Sequence, residues 1–198
     1  MPRIKAASIA EHVAEQEQAV FEAAVDLFIE RGYENVSLSD IAARIGLARN
    51  SLYRYFPDKA HILLRWFERE LPAQLERSAA ALAAPGAAAD RILAWAHDQV
   101  AYASTPQHGL IAQIGVLVPE LDPEARERLA TAHQELTEPL LQVLAEAAVP
   151  SDDLELVAEL IEGLILAAAS HGQPGGDPML TARELSYMDR AIRAVLAS

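Results

Sequence analysis

A single glycine between two short helical patterns, within residues 37–59, limits the folds open to this chain more than any other feature. Ser37 and Asp40 have the spacing of a capping box, whose two side chains accept the unpaired backbone N–H groups of a first helical turn. Apolar residues then follow at the spacing of one helical face, at Leu38, Ile41, Ala42 and Ile45. Gly46 tolerates the left-handed backbone of a sharp turn. The pattern predicts a helix that is capped by Ser37 and stops at a glycine turn.

A second short helix is expected over residues 49–56, because Pro57 disfavours helical backbone at the residue before it. Leu52 and Phe56 are its apolar positions, four residues apart. The remaining positions carry donors, acceptors and flat rings, namely Arg49, Asn50, Ser51, Tyr53, Arg54 and Tyr55. In a helix-turn-helix the second helix uses such side chains in the DNA major groove, where Arg contacts guanine and Asn contacts adenine. These six residues are therefore candidate DNA contacts.

Ser37 and Lys59, at the two ends of the stretch, complete the candidate DNA contacts. Lys59 follows Pro57-Asp58 at the start of a further helix, where an ammonium and backbone N–H groups can share a phosphate. The competing interpretation is structural, because helical aromatic residues are usually core residues and any two amphipathic helices joined by glycine imitate this motif. The order and spacing of the anchors, glycine, aromatic residues, proline and lysine favour DNA binding.

Residues 32–59 resemble the N-terminal DNA-binding domain of the TetR family of transcriptional regulators. The matching motifs are Gly32-Tyr33, Asp40-Ile41-Ala42, Gly46, Leu52-Tyr53-Arg54-Tyr55-Phe56 and Pro57-Asp58-Lys59. The sequence departs from the family at Ala48, where Ser is frequent, and at Arg49, where a small residue or Pro is frequent. The helix cap and the phosphate contact that this Ser could supply are therefore missing. Either Asn50 or Ser51 could take the place of the Ser, so the first residue of the second helix stays open.

The charge of the chain is acidic, −13 in all, and its distribution decides what this means for DNA. Residues 1–60 carry seven Lys or Arg against nine Asp or Glu, net −2, and the remainder carries net −11. Within residues 36–60 four basic residues face two acids, net +2. The acid therefore lies mostly outside the motif, and few cations are available for phosphate, so binding should depend on base contacts.

The composition predicts a globular, cytoplasmic protein. The chain has 198 residues, of which 52% are apolar, and no Cys, which excludes disulfides and thiolate metal sites. The longest wholly apolar or glycine run, residues 163–169, is far shorter than the ~20 residues that span a bilayer, so no membrane partner is expected. The six His have no ligand-like spacing, so no metal site is expected.

The fold class is expected to be all-α, because strand alternation is absent and helical periodicity dominates. We expect about nine helices, with a three-helix DNA-binding head in residues 1–57 and a helical bundle for ligand binding and dimerisation in residues 58–198. After the head the predicted helices are 58–84, 87–104, 108–118, 123–148, 151–171 and 181–197. Pro72 should kink the first of these. That helix then either transmits movement between head and body or only bends around the core.

The last two predicted helices are the candidate homodimer interface. Residues 151–171 carry a broad apolar face, and Gly163 and Ala167, four residues apart, permit close approach of another helix. The resemblance implies pairing of these helices with those of a second copy, and the alternative is an ordinary monomer core. A two-fold dimer contacts a palindromic operator with its two heads one helical turn apart, about 34 to 36 Å.

Five residues of the body are candidates for lining a small-molecule cavity. His133 falls on the Leu129, Leu136 and Leu140 stripe, and Gln99 falls with Ile92, Trp95 and Ala103. An inward polar group needs a partner, which is protein, water or ligand. The candidates are Trp95, Gln99, Tyr102, Gln113 and His133. The competing interpretation for each is a satisfied core residue.

The sequence favours a dimeric DNA-binding transcriptional regulator. The resemblance implies a repressor that a small-molecule effector releases from double-stranded DNA, without a cofactor and without catalysis. No phosphate-binding glycine loop, nucleophile elbow or His-Glu-x-x-His pattern is present. The alternative is a helical small-molecule carrier or enzyme whose head is an interaction surface, and it requires a cluster of titratable residues in a pocket.

Overall fold

The computed structural model describes residues 6–170 and 178–197, and within these ranges the chain is all-α, as predicted. Nine α-helices occur in the described part, the number expected. They are α1 Ala6–Arg31, α2 Leu38–Arg44, α3 Arg49–Leu52, α4 Lys59–Leu82, α5 Ala88–Ala103, α6 Pro106–Leu117, α7 Pro123–Glu146, α8 Leu154–Ala169 and α9 Pro178–Leu196. Across the described ranges no helix is both long and apolar enough to cross a bilayer.

The chain forms two compact units. The first extends to Arg69 and also includes Leu110–Leu121, and the second comprises Glu70–Gly109 and the chain from Asp122 onward. α4 contributes residues to both units. The predicted division after residue 57 into a DNA-binding head and a ligand-binding and dimerisation body stays a prediction.

The core of the first unit forms between α1 and the two helices that follow it. α1 buries its apolar face, including Val20, Ala24, Leu27 and Phe28. α2 contributes Ile41 and Ala42 to the buried set. The ring of Phe56 meets that of Phe21 edge to face, with centroids 5.8 Å apart, so the segment after α3 is held against α1.

The turn between α2 and α3 is built as the glycine predicts. Gly46 has φ +69°, a conformation that a residue with a Cβ rarely adopts. The N–H of Leu47 donates to the carbonyl of Ala42 at 2.9 Å, which closes the end of α2.

The helix α3 is shorter than predicted, because it ends at Leu52 rather than at Phe56. After Leu52 the backbone tightens, and the N–H of Tyr55 donates to the carbonyl of Leu52 at 3.0 Å, a bond between residues three apart. Pro57 excludes helix at the residue before it, but the tightened turn had already ended the regular helix.

The core of the second unit is formed by α5, α7, α8 and α9. Fully buried side chains from these four helices meet there, namely Ile92, Leu140, Leu144, Ile161 and Ile192. The two helices with internal proline, α4 with Pro72 and α7 with Pro139, continue through it without a break. Tertiary packing therefore offsets the lost hydrogen bond and the ring clash at both positions.

Replacing Ser37 by Ala removes a side-chain acceptor from the first turn of α2. We expect the free energy of unfolding of the full chain to fall by about 1 kcal/mol, measured by urea denaturation followed by circular dichroism. Ser39→Ala, on the same helix but outside the cap, is the matched control and should change stability little, since Ala is the better helix former. Equal losses in the two variants would contradict the capping role.

Candidate nucleic-acid interface and ligand cavity

Ser37 begins the motif as the N-cap of α2, in the capping box that its spacing predicted. The N–H of Asp40 donates to the Ser37 hydroxyl at 3.2 Å, and the N–H of Ser37 donates to the Asp40 carboxylate at 2.8 Å. The Ser37 hydroxyl also donates to that carboxylate. These bonds, the side-chain one first, lower the pKa of Asp40. The hydroxyl is thus engaged within the protein, and its predicted DNA contact stays a prediction.

The exposed face of α3 and the turn after it carries most of the candidate DNA contacts. Tyr53 and Tyr55 are 43% and 45% exposed, and Leu52 and Phe56 are 0% and 3% exposed. Arg49, Asn50 and Arg54 are also exposed, and Ser51 is half-buried. The structural interpretation of the aromatic residues is therefore right for Phe56 and wrong for the two tyrosines. Burial of the apolar pair leaves the polar side chains facing solvent.

Arg49 and Tyr53, one turn apart, are joined on that exposed face. The Arg49 guanidinium donates from Nη2 to the Tyr53 hydroxyl at 2.9 Å, and its carbon lies 5.2 Å from the centre of the Tyr53 ring. Stacking and hydrogen bonding restrict the rotamers of both side chains before any ligand arrives. The pair presents guanidinium donors beside a phenol, and both groups bind phosphate or base edges.

The first residue of α3, left open by the sequence, is Arg49. Ala48 occupies the N-cap position with extended backbone, φ −67° and ψ 136°, and supplies no side-chain cap. Neither Asn50 nor Ser51 replaces the missing cap, because both lie inside the helix. Their side chains are not used for capping and remain candidates for external contacts.

Two of the four cations of residues 36–60 are held by groups outside α3 and the turn after it. Arg44 pairs with Glu30 of α1 at 2.7 Å. Their hydrogen bond lowers the pKa of Glu30 and raises that of Arg44. No local sequence pattern indicates this pair, because the partners are brought together only when α2 packs on α1.

Lys59 is the second of these cations, and its contacts connect the start of α4 to the loop after α1. Its Nζ donates to the carbonyl of Tyr33 at 2.7 Å and to that of Glu34 at 3.4 Å, and it lies 4.2 Å from the centre of the Tyr33 ring. In the first turn of α4, the N–H of His61 donates to the Asp58 carboxylate at 2.9 Å. Groups expected to hold a phosphate are thus partly occupied, and the phosphate contact of Lys59 stays a prediction.

Three of the five cavity candidates line one cavity of about 440 Å³ in the second unit, namely Trp95, Gln99 and Tyr102. They lie on α5 at intervals of four and three residues, so they share one face of that helix. The indole N–H of Trp95 donates to the Ser78 hydroxyl at 2.6 Å. The other lining residues, which sequence reasoning missed, are Gln74, Arg77, Ala80, Ala81 and Asp98. The ligand contacts of Trp95, Gln99 and Tyr102 stay a prediction.

The other two cavity candidates lie elsewhere. Gln113, on α6, belongs to the first unit and does not line the cavity. His133 is exposed on α7, so its expected inward orientation is wrong. The physical reason is that Ala132 is the buried residue at this level of α7, and His133, the next residue, lies about 100° around the helix from it.

Lys59→Met should lower the free energy of unfolding by about 1 to 3 kcal/mol, because a charged group then no longer holds two carbonyl oxygens. Urea denaturation of the full chain measures the change. The matched control is Arg65→Met on the same helix, where an exposed guanidinium lies 3.8 Å from Glu68 and its loss should change stability by less than about 0.5 kcal/mol. A variant as stable as the control would show that Lys59 does not fasten the loop.

Comparison with known proteins places the chain among bacterial regulators. The family model for bacterial regulatory proteins of the tetR family matches residues 20–65, the segment that contains α2, α3 and the start of α4. The HTH-type transcriptional repressor KstR of Mycobacterium tuberculosis is 27% identical over 177 residues. That match covers 87% of this chain, which spans 66% of the length of KstR.

Solved structures extend the likeness over both units. A transcriptional regulator of the TetR/AcrR family from Thermobifida fusca is 25% identical with a TM-score of 0.69, and the match covers 90% of this chain and 96% of that one. A regulator from Saccharomonospora viridis, solved in complex with choline, is 20% identical with a TM-score of 0.70. That match covers 91% of this chain and 96% of the regulator's chain. The match of the helix-turn-helix segment, together with a likeness along nearly the whole fold, leads to one conclusion: residues 20–65 match the DNA-binding domain of the tetR family, and the described chain has the fold of TetR-family regulators.

Proposed function

We propose that this chain regulates transcription in the cytoplasm by binding double-stranded DNA as a homodimer through α3, and that a small molecule bound in the second unit releases it. The observation that carries the proposal is the division of α3 and its following turn into a buried apolar pair and an exposed polar surface. We call this exposed set, Arg49, Asn50, Ser51, Tyr53, Arg54 and Tyr55, the recognition surface. The match of residues 20–65 to the tetR family model and the likeness to the repressor KstR favour a regulator over the helical carrier or enzyme.

The recognition surface contributes base contacts more than phosphate contacts. With Arg44 paired to Glu30 and Lys59 held by two carbonyls, Arg49 and Arg54 are the remaining cations of residues 36–60. Few phosphate contacts mean a shallow dependence of affinity on salt and weak nonspecific binding. Specificity then depends on hydrogen bonds and ring contacts to base edges.

The dimer interface that we propose is the outer face of α8 with the adjoining α9. Three leucines of α8, at positions 156, 160 and 166, are 49% to 55% exposed, and Tyr187 of α9 is 57% exposed. Gly163 and Ala167 lie on the same side of α8 and are exposed too. A water-facing apolar strip of this kind is typical of a protein interface. A second copy offers the same strip, so a two-fold contact buries both.

The cavity of about 440 Å³ supports a small-molecule effector. Its volume falls within the range of ligand sites, about 300 to 1,000 Å³. The regulator from Saccharomonospora viridis has choline bound, and KstR is a repressor, so repression relieved by a ligand is the mode that these relatives suggest for this chain. The effector must bind the DNA-free arrangement more tightly than the DNA-bound one, since equal affinity shifts nothing.

Tyr53→Ala and Arg54→Ala should each weaken operator binding about tenfold to a hundredfold, as expected for the loss of a base contact of about 1 to 3 kcal/mol. The operator is first selected from random DNA with the full chain, and affinities are then measured by fluorescence anisotropy. Circular dichroism should show unchanged helicity, because both side chains are exposed. Arg128→Ala, an exposed arginine of α7, is the control for lost charge and should bind normally. Specific binding retained by both α3 variants would exclude the recognition surface.

Leu160→Glu should convert the dimer to monomers, because it puts a charge in the centre of the apolar strip of α8. Sedimentation velocity measures the oligomeric state. Val116→Glu makes the same change at a residue of α6 that is more exposed, and it should leave the dimer intact. Monomeric wild-type protein, or a dimer that survives Leu160→Glu, would rule out this interface.

A further inference from the structure

A chain of two hydrogen bonds fixes the orientation of the polar groups in the cavity. The Arg77 guanidinium donates from Nη2 to Oε1 of Gln74 at 2.6 Å, and Nε2 of Gln74 donates to Oε1 of Gln99 at 3.1 Å. A guanidinium has donors and no acceptor, so Gln74 must present its carbonyl to Arg77 and its amide to Gln99. Gln99 must in turn present its carbonyl to Gln74. The free end of the chain is therefore the amide NH₂ of Gln99.

The orientation of the Gln74 amide is fixed, because the side chain is only 8% exposed. Rotating the amide by half a turn would place its NH₂ against an N–H donor of Arg77. These two hydrogen bonds leave donors for a ligand, namely the NH₂ of Gln99 and the remaining N–H groups of Arg77. Burial raises the pKa of Tyr102, so its phenol also keeps its proton. The carbonyl oxygens of both glutamines each already accept one hydrogen bond, whereas the Gln99 NH₂ and the other Arg77 N–H groups remain for a ligand.

The remainder of the cavity is apolar or aromatic. The Trp95 N–H is occupied by Ser78, so Trp95 offers its ring and not a donor. Ala80 and Ala81 line the same cavity. The Arg77 guanidinium carbon lies 5.8 Å from the centre of the Tyr102 ring, which places the cation at the aromatic side of the cavity.

We infer that the cavity selects a carboxylate with an apolar body, its oxygens on Arg77 and the Gln99 amide and its body against Trp95. This inference rests on the proposed function, since it assumes that the cavity is the effector site. A guanidinium pairs a carboxylate with two parallel hydrogen bonds, and a neutral amide donor beside it supplies a third. A cation or a neutral acceptor-poor ligand would leave these donors without a partner in the complex.

Asp98 is the one group of the cavity lining that opposes an anion. It lies on the exposed side of α5, where solvent and salt screen its charge. Its removal should therefore strengthen carboxylate binding slightly. If the cavity instead held a cation, Asp98 and the two aromatic rings would bind it, and removal of Asp98 would abolish binding.

Isothermal titration of the full-length protein with octanoate, octanamide and octylamine separates these cases. We expect octanoate to bind at least tenfold more tightly than octanamide, and octylamine not to bind. Arg77→Met should remove the preference for octanoate. Gln99→Glu keeps the acceptor for Gln74 while it replaces the free NH₂ by a charged oxygen, so it should also weaken octanoate at least tenfold. Arg193→Met, an exposed arginine of the same unit paired with Asp90, should change nothing.

Operator binding is measured on the same samples, so that the two proposals fail separately. Preferential octanoate binding that depends on Arg77 and Gln99 supports the carboxylate site, whether or not the operator is bound. Tighter binding of octylamine, lost in Asp98→Asn, overturns it in favour of a cation site. Absence of octanoate binding, or octanoate binding that is unchanged in both variants, overturns it while normal operator binding leaves the proposed regulator intact.

Discussion

The burial of Leu52 and Phe56 is the interaction on which the recognition surface depends. A helix of four residues has no stability of its own in water, because ordering its first turn costs more than its hydrogen bonds return. Leu52 is fully buried, and Phe56 meets Phe21 of α1 edge to face. These contacts decide which side of a very short helix faces solvent. The exposure of Tyr53 and Tyr55 follows from that anchoring.

Electrostatic interactions inside the first unit reduce the charge available to a partner. Arg44 pairs with Glu30 and Lys59 is held against two carbonyl oxygens, so a phosphate would have to compete with these partners. Because Arg44 and Lys59 already have these partners, the positive charge of the motif is concentrated at Arg49 and Arg54, in a chain of net charge −13. Both lie on the recognition surface, where we propose that they contact DNA. A cation also orders the cavity of the second unit, where the hydrogen bond from Arg77 sets the orientation of the Gln74 and Gln99 amides.

Local patterns predicted local structure well. The capping box of Ser37 and Asp40 involves groups three residues apart, and the glycine turn involves one φ angle, so neither depends on distant packing. The end of α3 was placed four residues too late, because proline excludes helix before it without fixing where the helix stops. Trp95, Gln99 and Tyr102 share a face of α5 by periodicity alone. The same reasoning failed for His133, because Leu140 on its stripe is buried while His133, two turns earlier, is exposed beside the buried Ala132.

The sequence by itself determined the all-α class and the helix-turn-helix with its cap and its glycine turn, because these depend on periodicity, caps and turn residues within a few positions. Only the tertiary structure decided that Arg44 and Lys59 are engaged, that Gln74 and Arg77 of α4 lie beside Gln99 of α5, and that Gln113 belongs to a different unit. The partners in these contacts lie 14 to 26 residues apart. No local pattern records which faces of two helices will meet, because that choice is made by burial of the whole core.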